Sequence, residues 1–191
     1  MGGYIQRKKG FRGKSVIITF DDGFSSDYHI AAPLLKNLNM PATFFIVPGW
    51  VSVFPDYLTW PEVWLLSQER DTIRNSRLFH IGSHTMYHPF LEQMANQMSS
   101  QDYQTFLDEE IGESRDWILD VTGQNKLFLA LPFGDGANNK KIIDTCKKFG
   151  YTGIRHSIWN TITQSTLNIW SIPSLPILSF TEIEVIDDWL D

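Results

Sequence analysis

The chain of 191 residues carries 16 basic and 22 acidic side chains, a formal charge of −6, and 42% hydrophobic residues. That is the size and composition of one globular domain, and the acidic balance excludes a general affinity for nucleic acid, which needs a concentrated basic surface. The single cysteine, Cys146, excludes an intrachain disulfide and a multi-thiolate metal site, so the core must hold the fold.

Along the chain, Arg7, Lys8, Lys9, Arg12 and Lys14 come first, giving a basic N-terminal segment over residues 1–14 that is read as solvated. It lacks the apolar stretch of a signal peptide, and no apolar run reaches the roughly 18–20 residues that cross a bilayer. The chain as it stands is therefore expected to be cytoplasmic. Residues 16–20 and 42–47 read as β-rich strands, separated by a helical pattern of Ile30, Leu34, Leu35 and Leu38 whose regular part should begin near Pro33. Thr59, Pro61 and Glu62 form a helix start with a capping box, and Val63, Leu65 and Leu66 are expected on its buried face.

A third strand is expected around residues 78–81, ending at Gly82 before a histidine-bearing loop that stops at Pro89. The strongest helical signal runs over about 102–121, with Tyr103, Phe106, Leu107, Ile111, Ser114, Ile118 and Val121 on one face and Gly123 at its end. Residues 127–131 read as a buried strand, 140–149 as a helix holding Cys146, 151–154 and 168–172 as further strands, and 182–190 as a closing helix. Acids gather in that last stretch and are read as solvated. Strands alternating with helices imply right-handed βαβ units around a mostly parallel sheet, and six to eight units would close a barrel. Binding sites in such folds lie at the carboxyl ends of the strands.

Three unusual motifs fall at those ends. Thr19-Phe20-Asp21-Asp22-Gly23 sets two carboxylates where repulsion and burial would raise the pKa of one unless a cation intervened, although an ordinary polar turn would also explain them. In Gly82-Ser83-His84-Thr85-Met86-Tyr87-His88-Pro89 two histidines four apart suit capture of zinc or another divalent transition metal; the alternative leaves one on the surface. Leu131-Pro132-Phe133-Gly134 is either a plain loop or a rigid turn whose Phe133 N–H could bind an oxyanion. Trp50, Trp60, Trp64 and Trp159 are candidates for sugar stacking or for core packing, with Trp50, after Pro48-Gly49, the best placed for a pocket wall.

In this order the motifs resemble the polysaccharide deacetylase family, whose catalytic unit is called the NodB homology domain. The resemblance covers about residues 15–177, with Pro41-Ala42-Thr43-Phe44-Phe45 and Lys148-Phe149-Gly150-Tyr151 as supporting segments. It implies an α/β fold, a distorted (β/α) barrel with mostly parallel strands in a single domain over residues 15–191. It also implies a divalent metal ion, zinc or alternatively cobalt or another transition metal, on Asp22, His84 and His88, with Asp21 as general base and Phe133 as oxyanion donor. The implied substrate is a carbohydrate bearing N-acetyl groups.

The chain departs from the family pattern in three places. Ala130 stands where many members have an arginine, and Arg155-His156-Ser157-Ile158 precedes Trp159 in place of aspartates. The sequence favours no particular role for Arg155, a cation that could stand near the base. No histidine follows His156, so the general acid is His156, another group or water. A hydrolase of a small non-peptide amide, a metal-containing carbohydrate-binding domain without turnover, and a purely structural domain are the competing readings.

Overall fold

The computed structural model describes residues 15–163 and 165–190. The basic segment expected over residues 1–14 lies outside them. Strands β1 (Ile18–Phe20), β2 (Ala42–Ile46), β3 (Phe79–Ser83), β4 (Phe128–Ala130) and β5 (Gly153–Arg155) form one sheet in sequential order, every neighbouring pair parallel. Sequential order leaves no point at which strand order reverses, so the sheet curls as an open segment of a barrel.

Phe44, Ile46, Phe79, Ile81 and Leu129 on the strands pack with Leu107, Ile111 and Ile118 from the helices into one core, each at most 1% exposed. The expected α/β barrel-type fold is therefore present, with five strands. The segment 168–172 does not add a sixth; only an isolated bridge joins Ile172 to Arg155. Its Asn168 and Ser171 engage in turn hydrogen bonds that compete with pairing.

Helix α1 (Ala32–Asn37) has Pro33 in its first turn, as expected, and a π-helical turn (Asp27–Ala31) feeds it. Its buried residues are Ala32 and Leu35, while Ile30, Leu34 and Leu38 are exposed. The period-four series Ile30, Leu34 and Leu38 marked the outer stripe, and the helix turns Ala32 and Leu35 to the core. Helix α2 (Trp60–Gln68) starts on the expected capping box of Thr59 and Glu62, but Leu65 points outward while Val63, Leu66 and Ser67 are buried.

The long helical signal is real but interrupted. Helices α3 (Ser100–Leu107) and α4 (Ser114–Thr122) are joined by a π-helical turn (Asp108–Glu113), and Gly123 closes the run in a left-handed conformation. At the turn, a Cβ on Gly112 would lie 2.5 Å from the Phe149 ring, so the chain comes closer there than any larger residue permits. Helices α5 (Lys140–Lys148), which buries Cys146, and α6 (Ile183–Leu190) complete the described elements. Among the described residues no helix is long and apolar enough to cross a membrane.

Candidate active site

All five strands deliver something at their carboxyl ends. β1 runs into Asp21 and Asp22, β2 into the Gly49-Trp50 turn, β3 into His84, β4 into the Pro132–Gly134 turn, and β5 ends on Arg155. The main chain ties these ends together: His84 N–H donates to the Ile46 carbonyl at 2.7 Å, and Leu131 N–H to the Arg155 carbonyl at 2.9 Å.

Asp22 and Gly23 both have positive φ, 71° and 77°, a tight turn that stops the strand alternation and lets both aspartates face the mouth. Thr85, His88 and Phe133 share the left-handed backbone, at 66°, 61° and 58°. The histidine loop holds that shape by internal hydrogen bonds. Thr85 N–H donates to Ser83 Oγ, His88 N–H to Thr85 Oγ1, and Ser83 Oγ lies 2.6 Å from Ser114 Oγ.

Asp22, His84 and His88 converge as the motifs predicted. Asp22 Oδ1 is 3.4 Å from His84 Nε2 and 3.3 Å from His88 Nε2, and the two imidazole nitrogens are 3.2 Å apart. His84 Nδ1 lies 2.9 Å from the Ala130 carbonyl, a bond in which it must be the donor, which leaves Nε2 as a lone pair aimed at the other two atoms. Burial pushes the Asp22 carboxyl up, but when both imidazoles carry their second proton the hydrogen bonds and charges of His84 and His88 more than offset it, holding it below the usual carboxylate range. Three Lewis-basic atoms within 4.8 Å of one another could together hold a divalent transition ion.

Negative charge accumulates behind them. Asp27 is buried, its Oδ2 has no partner, and its carboxyl is pushed up to about 7, first by burial and then by the charges of Asp22 and Asp21. A pocket so short of positive charge fits a cation.

Arg155 supplies the positive group that pairs with Asp21. Its side chain is 8% exposed, its Nη2 pairs with Asp21 Oδ1, and its guanidinium carbon lies 5.0 Å from the centre of the Phe45 ring. Ala130 carries no charge, and the arginine arrives instead from the next strand. Glu110 is a contributor that the sequence did not mark. It reaches from the π-helical turn so that Oε2 accepts from Met86 N–H at 3.0 Å and Tyr87 N–H at 2.9 Å, clamping the histidine loop. Burial raises its pKa, and those bonds partly oppose the rise. Glu110→Ala would leave Tyr87 N–H without its acceptor and Met86 N–H with only the main-chain carbonyl of residue 110. It is expected to destabilise the fold by roughly 2–3 kcal/mol and to weaken metal binding about tenfold, read by thermal unfolding and metal titration.

The other nominated residues lie at the rim. The Phe133 ring is exposed, 4.7 Å from the His88 ring and stacked on Phe90 at 4.0 Å, so its residue borders the triad. His156 is buried beside that turn. Its Nδ1 accepts from Ile158 N–H, which assigns its proton to Nε2, 3.2 Å from Ser171 Oγ. Trp50 lines the site with its ring 5.2 Å from His88; Trp60 stacks on Trp117, Trp64 is half exposed, and Trp159 packs toward Trp189.

Comparison with known proteins gives a consistent pattern. Residues 8–154 match the family model described as Polysaccharide deacetylase. A stretch of 79 residues, 38% of the chain, is 34% identical to poly-beta-1,6-N-acetyl-D-glucosamine N-deacetylase of Escherichia coli and covers 12% of that protein. The YxkH protein of Bacillus subtilis is 28% identical over 138 residues, 72% of the chain and 43% of the relative. The chain thus spans less than half the length of the curated relatives it matches. Among solved structures, the Streptococcus pyogenes deacetylase PplD, in complex with acetate, superposes with a TM-score of 0.78 at 21% identity, over all of this chain and 76% of that one.

Proposed function

The chain belongs to the polysaccharide deacetylase family, and from that premise we propose that it removes N-acetyl groups from an amino-sugar glycan by metal-dependent hydrolysis. The observation that carries this reading is the convergence of Asp22, His84 and His88 with Asp21 adjoining in sequence and paired to Arg155. Asp22, His84 and His88 would hold the ion, zinc or alternatively cobalt or another transition metal. Bound there, it would supply Lewis acidity to the acetyl carbonyl and ease deprotonation of water.

Asp21 then takes the proton of the attacking water. Arg155, paired with Asp21, fixes the direction of that carboxylate, which favours its service as a base. Phe133, on its left-handed turn, offers its N–H to the oxygen that gains charge as the carbonyl carbon becomes tetrahedral. Protonated Asp21 returns the proton to the departing nitrogen, so acetate and a free amine leave. This route leaves His156 in its bonds to Ser171 and Ile158.

The test is acetate release from N-acetylated glucosamine oligomers by protein reconstituted with zinc and, in parallel, cobalt. Release that requires the metal supports the reading. Saccharide binding with full metal occupancy and no acetate would favour a binding domain instead. Arg155→Ala is expected to lower kcat by about one to two powers of ten, the size of a lost charge-assisted hydrogen bond, with KM changing less. Arg155→Lys should recover part of the loss, and added guanidinium should partly rescue the alanine variant. An unchanged kcat would remove Arg155 from the scheme.

A further inference from the structure

The sheet is open along one side. β1 and β5 are its edge strands, with β2 to β4 between them, and among the described residues no main-chain ladder joins β1 to β5. At their carboxyl ends the two edges nevertheless meet, because Arg155 of β5 pairs with Asp21 just beyond β1.

The chain runs on from the β5 edge into an apolar and acidic surface. Ile177, Leu178, Phe180, Ile183 and Val185 are exposed, Phe180 by 78% and Ile183 by 72%. Leaving such side chains in water forgoes the stabilisation that burial gives. Nor is this segment loosely held. Thr181 N–H donates to the Leu178 carbonyl and Leu178 N–H to Thr181 Oγ1, both at 2.9 Å, and Trp189 of α6 lies 6.3 Å from Trp159 between ring centres. Glu182, Glu184, Asp187 and Asp188 are exposed beside these residues, and among the described residues none of the four has an ion-pair partner. No lysine or arginine follows Arg155 in the sequence, so the segment cannot neutralise itself.

The complement stands at the other end of the chain. Residues 1–14, outside the described residues, hold Arg7, Lys8, Lys9, Arg12 and Lys14 with no acid, interleaved with Tyr4, Ile5 and Phe11. They lead through Ser15 into β1, the opposite edge of the sheet. A stretch of that length reaches up to about 46 Å when extended, against about 19 Å across five strands, so the span is within range. The other exposed apolar stripe, Ile30, Leu34 and Leu38 on and beside α1, offers no such charge match, since Glu62 and Glu69 there already hold His29 and Lys36.

We propose that residues 1–14 dock on the surface formed by Phe180, Ile183 and the acids of residues 182–188, clasping the two edges of the sheet. Opposite charges bring the segments together, and Tyr4, Ile5 and Phe11 cover the exposed apolar side chains. The clasp holds β1 and β5 at the separation that the Asp21–Arg155 pair requires. It stands apart from the deacetylase reading, because it needs no turnover.

The test is zero-length carbodiimide cross-linking of the full chain, read by peptide mass spectrometry in an equal mixture of isotope-labelled and unlabelled protein. Lys36 and Glu69, 2.7 Å apart, serve as the internal standard. The expected result is amide links from Lys8, Lys9 or Lys14 to Glu182, Glu184, Asp187 or Asp188 within single chains, falling at least about fivefold in about 0.5 M salt. Lys8→Glu, Lys9→Glu and Arg12→Glu together should lower the Tm by about 3–6 °C, and adding Glu182→Lys, Glu184→Lys and Asp187→Lys should restore most of it. Absence of these links while Lys36 and Glu69 are joined would overturn the clasp. So would links that join a labelled to an unlabelled chain, which would make a second copy the occupant, or a loss of Tm that the second set of reversals leaves uncorrected.

Discussion

Replacing His84 by alanine is expected to reduce bound divalent metal from one ion per chain to a trace, and acetate release with it. His84 gives its Nε2 lone pair to the triad and its Nδ1 proton to the Ala130 carbonyl, so one ring joins the end of β3 to the end of β4. Loss of an outer-shell partner alone costs roughly 10- to 100-fold in metal affinity, and a ligand must cost more. Because His84 is 3% exposed, its truncation also opens a cavity. His88→Ala, at a side chain 14% exposed, gives a gentler second measurement. Elemental analysis of both variants, with circular dichroism to verify the fold, decides the matter: full metal content in both would refute the triad.

Asp21→Asn is expected to cut turnover by roughly 10²- to 10⁴-fold while the metal stays bound. The two outcomes separate because Asp21 is outside the three converging atoms. Asparagine keeps the shape and can still accept from Arg155 through Oδ1, but it cannot take a proton from water. A rate equal to that of the unaltered protein, at equal metal content, would move the base elsewhere. Loss of metal in this variant would instead make Asp21 a ligand.

Much of the site was legible because its residues occupy three short motifs, each just beyond a strand, and a parallel sheet brings such ends together. Asp22, His84 and His88 needed only that topology to meet. Arg155 and Asp21 are 134 residues apart, and no local spacing announces their pairing. Glu110 looked like one more acid on a solvated helix face; the π-helical turn redirects it inward, and a turn of that kind has no simple period to read. The same limit applies to α1. Ile30, Leu34 and Leu38 repeat every four residues as a buried stripe would, yet Ala32 and Leu35 face the core, since periodicity locates a stripe without saying what covers it.

The left-handed turns at Asp22, Thr85, His88 and Phe133 have a bearing on how this protein can change over generations. Each holds a side chain in a conformation that glycine or asparagine adopts more readily, at a cost of about 1 kcal/mol or more per position. Selection for heat resistance alone would relax these four positions, and each replacement would delete a ligand, a loop tie or an aromatic wall. Durability and turnover therefore compete for the same four backbone angles.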